Sequence, residues 1–398
     1  MPPVRVFVPV AVVASIGALL SLYALWQAHS PRAKRRRLRQ KLPQSLSIWR
    51  QPGNTWELLE QMWVDLEGIL REKGLQIWPH THWVLRSPGD IVPLSNGYMH
   101  LGGHRNGTGP GTVRDLQRFQ YSNPNIHTAR TSDGLDVIIR IVVIHNEGHN
   151  HLRILRKVAT GVNSLYSNNH ALPMLAEVQF DDIILGVFPK VGSSMFFLYG
   201  SWARNSAGDV VEVIMQMLEG LAFIHNLGIA HRDAFQDNFV IQWQPESFKT
   251  MSISPSRPRV YLIDFEVAID FPSDCPIEER VATGYPLGGS FLDLERYQRP
   301  HAPEFSGGKP YNPFKLDIWQ LAQSLSGIRI TVVKIDKVLD DMANADSDQR
   351  PSAQEALDRI RDVVNSIPPN ALLIEPWMKD DWFTQIQLEA QLNAEANS

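Results

Sequence analysis

Cysteine is almost missing from this chain of 398 residues: Cys275 is the only one. No intrachain disulfide can form, which points to a reducing compartment. Acidic residues are missing from the first 41 positions, which hold eight Lys or Arg. The remainder carries 30 basic against 42 acidic residues, although the net charge of the whole is only −4. A body of that sign is a poor nucleic-acid binder, because neutralising phosphates needs a basic surface. Apolar residues at 43% and charged residues at 20% exclude a wholly disordered or collagen-like chain, and no internal repeat is visible.

Charge is also absent from Val6 to Trp26, a run of 21 residues. At 1.5 Å per residue such a helix is about 31 Å long, close to the hydrocarbon thickness of a bilayer. Seven basic residues follow among positions 32–41, with only Arg5 ahead of the run. The pattern predicts one transmembrane helix within residues 1–30 and a polybasic juxtamembrane segment at 31–41. The positive-inside rule then places the body in the cytoplasm, with the basic run against anionic lipid. A cleaved signal peptide is the alternative for the apolar run, and nuclear localisation for the basic one.

Residues 42–114 read as a Trp-rich helix followed by an irregular linker. Asn54 and Glu57 resemble a capping box, Gly74 is a stop, and Trp56, Leu59, Trp63, Leu66 and Leu70 share one helical face. The glycine-rich run at 102–111 has no following lysine or apolar helix, as a phosphate loop requires, and reads as linker. Apolar β-branched runs then appear at 137–144 and 183–188, the first preceded by the turn Ser132-Asp133-Gly134. Helical patterns follow at 209–226, 315–327, 334–343 and 352–365. Strands first and helices after is the order of an α+β protein with two unlike parts.

Five short motifs lie within this second half. His231-Arg232-Asp233 is followed by four residues and Asn238; a strand at 260–265 ends in Asp264-Phe265. His301-Ala302-Pro303-Glu304, Asp317-Ile318-Trp319 and Arg350-Pro351 come next, in that order. The spacing and order resemble those of the eukaryotic protein kinases. The resemblance covers residues 115–367, leaving 368–398 as a C-terminal tail. It implies a bilobal fold with a small β-rich N-lobe and a larger helical C-lobe, here behind the transmembrane helix.

The same resemblance implies ATP and magnesium as cofactors and phosphoryl transfer as the reaction. Asp264 would ligate the magnesium that bridges the phosphates and Asn238 the second ion. Asp233 would orient the attacking hydroxyl, and Arg232 would pair with an acidic or phosphorylated activation segment. Asp317 would hold the catalytic-loop backbone, and Arg350 would pair with Glu304.

Other positions depart from the family. The nucleotide-binding β3 lysine aligns with Arg140, a planar fork rather than a point charge. Its usual glutamate aligns with His151, with Glu147 one turn earlier as a substitute. Residues 118–130, where a glycine-rich hairpin is expected, contain no glycine. Glu266 replaces the glycine after Asp264-Phe265, and Phe235 the catalytic-loop lysine. Arg296-Tyr297 replaces the Gly-Thr pair before Ala-Pro-Glu. Residues 242–259 read as an inserted loop, and Thr283, Tyr285 and Ser290 are candidate phosphosites. Three readings follow: a membrane-anchored ATP- and magnesium-binding enzyme with weak transfer to a protein hydroxyl, a pseudokinase scaffold, and a small-molecule kinase of the same fold.

Overall fold

The computed structural model describes residues 30–50, 55–81, 84–88, 98, 118–119, 123–194, 205–291 and 294–379. Two compact units divide the chain, Met1–Gln44 and Ser45–Ser398. Of the first, the described part is mainly helix α1 (Pro31–Lys41). Proline at its first position needs no amide partner there, and the Ser30 hydroxyl accepts from the Ala33 amide. Arg39 and Lys41 lie in the last turn, where positive charge suits the helix dipole.

The membrane expectation is corrected here. Among the described residues no helix is long and apolar enough to cross a membrane. The longest described helix, α5 below, has 20 residues but carries Asp209, Glu212 and Glu219, and its apolar positions are spent on a protein core. The run at 6–26 lies outside the described residues. The single-pass, cytoplasm-facing placement therefore has no support, and the anionic-lipid partner, which rested on it, falls with it.

The second unit begins with a short helix α2 (Leu46–Trp49) and then α3 (Trp56–Glu72). Thr55 caps α3 at the Leu58 amide, one residue later than Asn54, which lies outside the described residues. Leu59, Trp63, Leu66 and Leu70 are buried, as their spacing predicts. The indole N–H groups of Trp49 and Trp63 both donate to the Pro124 carbonyl, at 3.1 and 3.2 Å.

A five-stranded antiparallel sheet follows, built from β1 (Leu75–Ile77), β2 (Ile126–Thr131), β3 (Asp136–Ile144), β4 (Ala176–Phe180) and β5 (Ile183–Pro189) in the order β1-β2-β3-β5-β4. The tight turn at Ser132–Gly134 sets the β2–β3 register, with Gly134 at φ +89° where a side chain would be strained. Thus the sheet includes residues upstream of 115, and 48 residues join β1 to β2, whereas a glycine-rich hairpin was expected within 118–130. The glycine-rich run at 102–111 falls in that connection, outside the described residues. Helix α4 (His149–Val158) packs on the sheet through Leu152, Leu155 and Val158.

The rest is mainly helical: α5 (Ala207–Asn226), α6 (Pro313–Ser324), α7 (Val333–Met342) and α8 (Ala353–Asn365), with β6 (Phe239–Ile241) and β7 (Val260–Leu262) paired between α5 and α6. All four helices lie within two residues of their predicted starts. Capping boxes at Ser206/Asp209 and Ser352/Glu355 satisfy the first amides of α5 and α8. An α+β chain with a β-rich part followed by a helical part is compatible with a kinase-like fold.

One buried ion pair fixes the helical part. Arg350, 0% exposed at its side chain, meets Glu304 in a bidentate pair at 2.7 and 2.9 Å. Breaking such a pair strands a buried charge, which costs about 3–5 kcal/mol. Arg350→Ala should lose that much in urea unfolding, whereas the double change with Glu304→Gln should recover part of it. A loss under about 1 kcal/mol for the single change would show that the pair carries little of the fold.

Candidate functional site

The site is assembled from β3, α4, the loop between α5 and β6, and the segment after β7. Asp317, fully buried on α6, accepts the amides of His231 (2.8 Å) and Arg232 (2.6 Å). Gln320, one turn on, accepts from the Ala234 amide and donates to the Arg232 carbonyl. Four backbone groups of the loop are thereby held by one helix face. Arg232 can then take its left-handed conformation, at φ +65°, with the strain borne by fixed partners.

Held in this way, the loop presents Asp233 and Asn238 together. The Asn238 amide nitrogen donates to the Asp233 carboxylate at 2.6 Å and to its carbonyl at 2.7 Å. Arg232 does not meet a phosphosite side chain. It donates to the carbonyls of Val267 and Tyr285. Among the candidate phosphosites Ser290 is buried, its amide bonded to Glu266 and its hydroxyl accepting from Arg50. Thr283 is exposed, and Tyr285 packs against the rings of Tyr297, His301 and Phe305.

Asp264 follows β7 with φ +65°, and Phe265 behind it packs on the His231 ring at 5.1 Å. Across the site stands Arg140 of β3. Its Nη2 donates to Asp264 Oδ1 at 2.7 Å and to Glu266 Oε2 at 2.9 Å, while its buried Nε has no partner. Burial alone would push the Asp264 carboxyl up, but the charge and hydrogen bond of Arg140, together with other neighbours that include Arg50, hold it well below the usual carboxylate range. His151, on α4, is also brought here and buried. Burial first, then the charge of Arg140, lowers its pKa to about 3, so it faces Arg140 as a neutral ring. Glu147 does not replace it: its Oε2 accepts the Leu46 amide at 2.7 Å.

Sequence reasoning missed two arginines here. Arg50, just after α2, reaches Ser290 Oγ at 3.0 Å and Glu266 at 3.5 Å, and lies over the Phe291 ring at 4.7 Å. Arg299 donates to both Asp233 oxygens, Nε at 3.0 Å and Nη2 at 3.1 Å, and through Nη1 to Asp237 at 2.7 Å. Burial pushes the Asp233 carboxyl up, and Arg299 opposes the shift. No local motif signals either arginine, because each acts on residues far away in the chain.

No family model matches the chain. Three curated proteins of Schizosaccharomyces pombe (strain 972 / ATCC 24843) are similar to parts of it. Serine/threonine-protein kinase oca2 is 34% identical over 197 residues, which is 48% of this chain and 26% of that protein. Serine/threonine-protein kinase ppk8 is 31% identical over 127 residues, 32% of this chain and 20% of that protein. Serine/threonine-protein kinase ksp1 is 26% identical over 119 residues, 30% and 21% respectively. The chain thus spans about a quarter or less of the length of these relatives. Their shared naming agrees with the clamped loop at 231–238, the Asp233–Asn238 contact and the Glu304–Arg350 pair, and together these support a member of the protein-kinase-like superfamily.

Proposed function

We propose that the chain binds ATP with magnesium and transfers the terminal phosphoryl group slowly to a protein hydroxyl. The observation that supports this most is the set of oxygens left over at the site. Asp264 spends Oδ1 on Arg140, and Asn238 spends its amide nitrogen on Asp233. Among the described residues Asp264 Oδ2 and Asn238 Oδ1 are uncommitted, and hard oxygen donors suit magnesium. These two residues would hold the ion, which when bound neutralises phosphate charge. Asp233 Oδ1 accepts one hydrogen bond, from Arg299, and retains a lone pair for the substrate hydroxyl. Arg232 keeps its place as a brace of the segment after Asp264.

A second reading, a binding module without transfer, is favoured by Arg140. It is committed to Asp264 and Glu266, and its neighbour His151 offers no carboxylate to draw it toward phosphates. For either reading we place the start of the kinase-like domain near Ser45 rather than residue 115, because β1 extends the same sheet as Arg140.

Thermal unfolding of the full chain with ATP, with and without magnesium, tests the proposal. A ligand at about a hundred times its Kd adds roughly 2.7 kcal/mol to the folded state. Asp264→Asn should abolish the magnesium-dependent rise while the unliganded melting temperature stays within a few degrees, because Glu266 still holds Arg140. No rise in the unaltered chain would leave the binding-module reading. An undiminished rise in Asp264→Asn would show that the nucleotide does not depend on metal bridging there.

A further inference from the structure

The catalytic loop has lost its lysine to Phe235, yet a positive charge stands over that ring. The Arg299 guanidinium carbon is 4.9 Å from the Phe235 ring centroid, and the same guanidinium grips Asp233 and Asp237. We propose that Arg299 is the cation of the transfer centre: it replaces the absent lysine charge, fixes Asp233, and takes an oxygen of the nucleotide's terminal phosphate. This rests on the ATP-binding reading above.

Donor counting supports the assignment. A guanidinium has five N–H groups, and three are used: Nε and Nη2 on Asp233 and Nη1 on Asp237. One N–H on each terminal nitrogen is left over, in the planar fork that suits phosphate oxygens. Charge supports it too. Asp233 and Asp237 would together repel an anionic phosphate at the point where it must approach Asp233. A fixed guanidinium between them cancels part of that repulsion without reorganising, which is how positioned charge aids phosphoryl transfer. The residue is also rigid: the Phe235 ring supports one face of the fork and two carboxylates hold its edges. Beside it lies a cavity of about 410 Å³, lined by Phe235, Asp237, Arg299, Pro300, Gln323 and Ser324.

The alternative use of the same geometry is a plug, in which Arg299 blocks Asp233 from inside the chain. The two uses differ in what happens to nucleotide affinity when the charge is removed. Calorimetric titration of the full chain with ATP and with ADP, each with magnesium, separates them. The unaltered chain should bind ATP more tightly than ADP. Arg299→Gln should weaken ATP about tenfold while ADP stays within about twofold, and Arg299→Lys should keep most of the preference. Equal weakening of both nucleotides, or no change in their ratio, overturns the assignment while leaving ATP binding intact. Tighter ATP binding in Arg299→Gln also overturns it and identifies the plug. If the unaltered chain binds neither nucleotide, the ATP-binding reading itself fails and this inference goes with it. Should Arg299→Gln not fold, the double change with Asp237→Asn removes one stranded carboxylate and is read by the same ratio.

Discussion

Changing Arg140 to lysine together with His151 to glutamate should raise autophosphorylation by about a hundredfold. That corresponds to roughly 2.7 kcal/mol of barrier, a modest share of what positioning can supply. The reason is competition for Asp264. In the present site Arg140 pairs with Asp264 and Glu266, on the side where the proposed metal would sit, while His151 is neutral. A glutamate at 151 would give the lysine a partner on α4, and Asp264 would have both oxygens available for metal. A compact ammonium also replaces a fork that cannot repeat its contacts. Incorporation of labelled phosphate, with the Asp233→Ala variant as background, measures the gain. An inert double variant that nevertheless binds ATP would place the defect outside the Arg140–Asp264 pair.

Acid should unfold the protein more steeply than its carboxylates alone would. His127 and His151 are buried, and burial lowers each from 6.5 to about 3, with Arg140 adding to the shift at His151 and His80 at His127. Between those values the unfolded chain binds protons that the folded chain refuses. Stability from this source is therefore fully present above about pH 6.5 and is lost as pH falls toward 3. The slope is about 1.4 kcal/mol per pH unit for each histidine. From about pH 7.5 to about pH 5 the two together should cost roughly 4 kcal/mol, a large part of an ordinary folding free energy. Asp264, lowered by Arg140, acts in the same direction, while Asp233 and Glu212, raised by burial, act against it. Urea unfolding at the two pH values is the test, with His127→Gln and His151→Gln each expected to remove about half of the drop. A drop unaffected by either change would assign acid sensitivity to the carboxylates.

What the amino-acid order determines by itself is everything set by short spacing. Periodicity of apolar residues marks α3, α5 and α8, and Ser132-Asp133-Gly134 marks the turn that brings β2 onto β3. The Asp233–Asn238 pair is legible because a single loop carries both residues. The partners Asp317 and Glu304–Arg350 are legible through the order of motifs that resembles the kinases. Tertiary structure alone decided where the charges go. Arg140 and Asp264 are 124 residues apart, Arg299 and Asp233 are 66 apart, and Arg50 and Glu266 are 216 apart. Which carboxylate a guanidinium finds depends on the sheet and loops that bring the two together, and for a partly buried carboxylate an unpaired charge is costly to leave alone. The same holds for β1, whose three residues are too few to carry a period and become a strand only because β2 offers a free edge.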